Sequence, residues 1–202
     1  MKYYSLRRQS PNVDFKEATI RGQAPDKGLY FPEQMPAVEA DLIRNLPQLG
    51  NAEIAYRVIR PYVGDTIPPS ELQRIVEETV SFDIPLVQVN ENIFSLELYH
   101  GPTLAFKDVG ARFMSRCLGY FSRERSEKIT VLVATSGDTG SAVANGFYGV
   151  EGIEVILLYP SGKVSPLQEN TLEWHRRSGL AILGLLLFRL GWGVVGGTHA
   201  RF

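Results

Sequence analysis

Residues 129–160 most narrow what this chain can fold into. They read ITVLVATSGDTGSAVANGFYGVEGIEVILLYP, two apolar runs separated by a glycine-bearing turn and a stretch with helical spacing. The first run, ITVLVATS, is apolar without alternation, which predicts a strand covered on both faces, and EVILLYP predicts a second. Strands this far apart in sequence pair in parallel through a crossover helix, so the segment predicts a βαβ unit. An α/β domain with a parallel sheet follows. Ligands of such sheets gather beyond the carboxyl ends of the strands, which directs attention to the first strand–helix junction.

That junction is TSGDTGS, residues 135–141. A helix start offers unpaired backbone N–H groups and the positive end of the helix dipole. Gly137 and Gly140 permit close approach, and Thr135, Ser136, Thr139 and Ser141 add hydroxyls. A phosphate or carboxylate would sit well there, although a tight βα turn with a capping residue accounts for the same composition. The spacing is neither that of a Walker loop nor GxGxxG.

Upstream, HGPTLAFKDVG (100–110) places Lys107 directly after Leu104, Ala105 and Phe106. Buried lysines are rare, and desolvation pushes them toward a reactive neutral amine. The plainer alternative packs the lysine stem on Phe106 and leaves its head in water. Val109, Phe113, Cys117 and Phe121 then recur at helical spacing, with Asp108 in the favourable first turn. A regular crossover puts Lys107 and the 135–141 turn at one sheet edge. An amine beside an anion-binding turn suits a carbonyl cofactor with acid groups. Pyridoxal phosphate chemistry needs that pairing, with a lysine to hold the aldehyde and shuttle protons.

The first 80 residues have a different pattern. AEIAYRVIRPYVG sets Ala55, Val58, Ile59 and Tyr62 on one helical face and stops at Gly64. PSELQRIVEETV predicts a helix opened by a capping box from Ser70 to Gln73, with Leu72, Ile75, Val76, Thr79 and Val80 inward. KGLYFP (27–32) reads as a turn glycine followed by a strand or loop. PLVQVN and IFSLELYHG read as short strands, the second alternating through Phe94, Leu96 and Leu98.

Net charge is −1 over 202 residues, which gives no basic field for nucleic acid. One cysteine, Cys117, rules out an internal disulfide and suits a reducing compartment. No metal-binding spacing is present. MKYYSLRRQS lacks the apolar core of a secretory signal. The cytoplasm is therefore the expected location. Residues 170–202 stand apart, with four arginines, no lysine, one acid (Glu173) and both tryptophans. Their run GLAILGLLLF is too short to span a bilayer.

HGPTLAFKDVGARF, ATSGDTGSAVA and YPSGKVSPLQE together closely resemble threonine synthase, and KGLYFP resembles that family's N-terminal domain. The four landmarks fall in the family's order across about residues 1–169. The resemblance implies a tryptophan-synthase-β-like pyridoxal-phosphate enzyme: α/β, a small helical N-terminal domain at 1–82, and a truncated three-layer αβα parallel-sheet domain at 83–169. Residues 170–202 form an atypical tail. It implies a carbon–oxygen lyase that converts O-phospho-L-homoserine and water to L-threonine and phosphate in threonine biosynthesis. Lys107 matches the lysine that anchors the cofactor, and Ser136, Gly137, Asp138, Thr139 and Gly140 match the loop facing cofactor and substrate carboxylate. His100 and Phe106, which flank the lysine, are expected to pack. Nothing in 170–202 matches the family's later glycine-rich loop. An inactive fragment or partner-dependent remnant, with self-association through an exposed sheet edge, therefore stands as an alternative, as does a related serine/threonine dehydratase. Neither a metal, nucleic acid nor a membrane is an expected partner.

Overall fold

The computed structural model describes residues 1–123, 126–135 and 138–158. They fall into two compact units, Met1–Ser81 and one beginning at Phe82.

The first unit pairs β1 (Tyr3–Ser5) antiparallel with β2 (Tyr30–Pro32), Tyr4 opposite Phe31. Gly28 permits this arrangement, because a Cβ there would lie 2.0 Å from Ser5 Oγ. The turn before β2 is tied by Asp26, whose carboxylate accepts from Ser5 Oγ (2.6 Å), the Gly28 N–H (2.9 Å) and the Gln9 N–H (3.0 Å). These bonds, the one from Ser5 foremost, hold Asp26 below the usual carboxylate range. Helix α1 (Phe15–Arg21) starts at Asp14, whose side chain accepts from the Glu17 N–H, and ends at Gly22. Helices α2 (Ala40–Asn45), α3 (Asn51–Val63) and α4 (Pro69–Thr79) follow. Tyr3 donates its hydroxyl to the Tyr62 carbonyl at 2.8 Å, and its burial pushes the phenol up to about 12.

Helix α4 buries Leu72, Ile75, Val76 and Thr79, four of the five residues expected inward, while Val80 caps its end. The expected capping box does not form. Pro68 occupies the N-cap and Pro69 the first helical position, so Ser70 and Gln73 both lie inside the helix. Proline's fixed φ starts the helix two residues sooner than a cap at Ser70 would. Gln73 instead donates to Glu77. In α3, Val58 is 43% exposed, and Val63 is the buried residue.

The second unit opens with a hairpin, β3 (Leu86–Asn90) antiparallel to β4 (Ile93–Leu96), with a register shift between Gln88 and Asn90. Helix α5 (Lys107–Ser122), β5 (Ile129–Ala134), α6 (Asp138–Phe147) and β6 (Ile153–Leu158) come next. Strands β5 and β6 run parallel, from Ile129 opposite Ile153 to Ala134 opposite Leu158, the expected βαβ unit. Helices α5 and α6 pack on each other, and Arg116 donates from Nη1 to the Gly146 carbonyl (2.8 Å). Cys117 is fully buried in α5, and burial pushes its thiol up to about 12.

The expectation that β5 is covered on both faces is not met among the described residues. Its side chains alternate between half-buried and exposed, and Leu132 is 65% exposed. An apolar run shows what a strand can bury, whereas coverage depends on which elements reach each face. Among the described residues no helix is long and apolar enough to cross a membrane.

Candidate active site

The loop from Gly101 to Phe106 delivers Lys107 to the first position of α5. Leu104 takes a left-handed conformation (φ 57°), which a leucine adopts only at some cost, and its N–H bonds the Gly101 carbonyl (3.0 Å). Asp108 is 1% exposed and spends both carboxylate oxygens on Thr103. Oδ2 accepts from the Thr103 N–H (2.9 Å) and Oδ1 from the Thr103 hydroxyl (2.6 Å). The carboxylate therefore ties the loop back on itself, a role distinct from the dipole effect expected of an acid in the first turn.

Lys107 is exposed, and its Nζ donates to Thr139 Oγ1 at 2.7 Å. Thr139 lies in the first turn of α6, so the amine and the strand–helix turn meet as the crossover geometry predicts. The ammonium is 6.0 Å from the Phe106 ring centroid. The choice between a buried amine and one with its head free resolves into a third arrangement: an accessible amine held by a hydroxyl 32 residues away.

A groove of about 330 Å³ opens beside Lys107, walled by Leu96, Leu98, Tyr99, Leu104 and Phe106. Phe106 is 63% exposed and Leu104 73%, so Phe106 forms groove wall rather than core packing. His100 does not pack inward either. It stacks on Tyr99 (4.9 Å between centroids) and bonds Glu97 Oε2 through Nε2 at 2.7 Å. Hydrogen bonds from His100 and then Tyr99 hold the Glu97 carboxyl below its usual range, and the bond to Glu97 raises the Tyr99 phenol. Sequence spacing alone had not marked this trio. Its signal is the i, i+3 separation of Glu97 and His100 beside an aromatic residue.

At the turn, Thr135 continues the β5–β6 ladder, its N–H bonding the Leu158 carbonyl at 2.9 Å. A Cβ at Gly140 would come within 2.9 Å of Thr135 Cγ2, so the turn's own packing uses the space a side chain would take. Ser136 and Gly137 lie outside the described residues, as does YPSGKVSPLQE beyond Leu158; Asp138 is placed as the first residue of α6. Thr103 and Asp108 are the members of the site that motif reading missed. Among the described residues no group of three or more His, Cys, Asp or Glu could hold a metal ion.

Comparison with known proteins gives one consistent family. Residues 2–80 match the model of the threonine synthase N terminus. The chain is 44% identical over 170 residues to a threonine synthase of Haemophilus influenzae, covering 84% of this chain and 39% of that protein. The PLP-bound threonine synthase of Brucella melitensis matches with a TM-score of 0.78 at 41% identity, over 85% of this chain and 38% of that one. The Escherichia coli threonine synthase structure also gives 0.78, at 39% identity, over 85% of this chain and 40% of that one. The chain thus spans about two fifths of the length of the relatives it matches.

Proposed function

We propose that this chain, which corresponds to the N-terminal portion of threonine synthases, carries the lysine side of a pyridoxal-phosphate site, with Lys107 as the cofactor-anchoring amine. The reaction proposed for the whole protein is that of the family: O-phospho-L-homoserine and water to L-threonine and phosphate, in the cytoplasm, with self-association through the sheet edge as a further element of the reading.

The observation that carries the reading is the 2.7 Å bond from Nζ of Lys107, a residue that lines the groove, to Thr139 Oγ1. The residues present fit the cofactor. Lys107 offers an exposed amine able to condense with an aldehyde, and the groove is at the small end of the usual size for small-molecule sites. Its apolar walls suit one side of a flat ring. Thr139, having accepted from Lys107, keeps its own hydroxyl proton for an anion. Ser136, Gly137, Asp138 and Gly140 are assigned with it to the turn that faces cofactor and substrate carboxylate.

When bound, pyridoxal phosphate supplies a ring that absorbs the negative charge developing on substrate carbon. This chain's own contribution is positional and acid–base. With its amine free, Lys107 would take and return protons at the substrate α and β carbons, and Thr139 would limit where that amine can swing. The apolar groove wall keeps water from the face it covers.

Incubation with pyridoxal phosphate followed by borohydride tests the assignment. Peptide mass spectrometry is expected to find the reduced adduct chiefly on Lys107, and Lys107→Ala to remove it. A label spread evenly over the six lysines would overturn the reading.

A further inference from the structure

We propose that Asp108 and Thr103 are a positioning pair that sets where the Lys107 amine stands, an inference that rests on the reading of Lys107 as the anchoring amine. Three observations converge on it. Both oxygens of the buried Asp108 carboxylate are committed to one residue, Thr103, through its N–H and its hydroxyl. The loop they close is too tight for any side chain at Gly101, where a Cβ would lie 2.5 Å from Asp108 Oδ2. The same loop contains Leu104 at φ 57°, a conformation that persists only where surrounding bonds enforce it.

Lys107 lies between the strained residue and the carboxylate. A lysine side chain has four rotatable bonds and would sample many positions from a loose backbone, so a short bond to Thr139 requires its Cα to be fixed. Asp108 points into the loop while Lys107, its neighbour, points to the groove. The carboxylate bonds Thr103 and does not line the groove, so it acts through the backbone. Charge-assisted bonds from an N–H and a hydroxyl are short and directional, which suits that task.

The test compares the intact chain with Thr103→Val, Thr103→Ser and Asp108→Asn. Each is treated with two aldehydes under reducing conditions: pyridoxal phosphate with borohydride, and formaldehyde with cyanoborohydride. In both, the amine nitrogen adds to the aldehyde carbon, water leaves and hydride fixes the new C–N bond. Labelling of Lys107 is read as a ratio to Lys2, Lys16, Lys27 and Lys128 in the same sample. Hydrogen exchange across α5 and α6 checks that each variant is folded.

In the unaltered chain the ratio is expected to depart from one with both reagents. In Thr103→Val and Asp108→Asn it should move toward one by about tenfold with pyridoxal phosphate, and in the same direction with formaldehyde. Thr103→Ser, which keeps the hydroxyl, should restore it. Ratios unchanged in folded Thr103→Val and Asp108→Asn would overturn the positioning role. A formaldehyde ratio that responds to the variants, with no preference for Lys107 by pyridoxal phosphate in any of them, would uphold the pair and overturn the cofactor reading.

Discussion

Helix α4 and the β3–β4 hairpin are both rich in large apolar side chains, yet they end in opposite circumstances. In α4, Leu72, Ile75 and Val76 are at most 2% exposed. In the hairpin, Leu86, Val87, Val89, Ile93, Phe94 and Leu96 are all at least 39% exposed. The helix gathers its apolar residues on one stripe and its charges on the other, where Arg74 pairs with Glu71 and Glu78. The hairpin carries apolar residues on both faces, with Leu86, Phe94 and Leu96 on one and Val87 and Ile93 on the other, because side chains alternate along paired strands. Apolar content therefore does not make a core. Burial requires a single apolar face and a partner that reaches it, and exposed apolar surface of this extent is the kind that marks a contact surface.

Substitutions can break this contrast. The largest effect is expected from Ile75→Ala, which removes a side chain with 0% exposure and should cost the first unit about 2–5 kcal/mol, read by urea unfolding with hydrogen exchange in α4. Next comes Asp108→Ala. It leaves the Thr103 N–H and hydroxyl without their acceptor, at a cost of about 1–3 kcal/mol to the second unit, seen as faster exchange in the N-terminal turn of α5.

A smaller, pH-dependent effect belongs to Asp26. Its folded pKa is depressed, so its stabilising contribution is present above the ordinary carboxylate pKa and is lost as pH falls through the lower folded value. Melting of the first unit should decline in acid, and Asp26→Asn should flatten the part of that decline due to this group. A decline of equal slope in the variant would show that Asp26 does not contribute to it. The smallest effect is expected at Val89, 64% exposed, where Ala should change stability by no more than about 0.5 kcal/mol. A loss above about 1 kcal/mol would show the hairpin to be covered and would erase the contrast with α4.

The site divides in a similar way between what the sequence made legible and what it hid. Lys107 and the turn at 135–141 were readable, because an amine after an apolar run and a glycine-bearing strand–helix junction are local patterns. Their meeting was also readable, since a βαβ unit brings the start of α5 and the start of α6 to one sheet edge, and Thr139 is where Lys107 arrives. The Thr103–Asp108 bonds were not. A threonine and an aspartate five residues apart bond in this way only if the intervening loop turns back, and that depends on Leu104 entering a region leucine seldom occupies. His100 was misread for a related reason. An imidazole's packing is decided by its neighbours, here Glu97 and Tyr99, and not by the residues that precede it.

The sequence by itself determined helices α3 to α6, the short strands of the hairpin, the parallel pairing of β5 with β6, and the two segments that bear the candidate chemistry, while β1, α1 and α2 gave no readable signal. Those follow from periodicity and backbone preference, which act within a few residues. Tertiary structure alone decided which apolar residues became core, and that Asp108 faces Thr103 while Lys107 faces Thr139. Each of these depends on which group reaches a given face, and that is set by the packing of distant segments and the turn of a loop, not by local spacing.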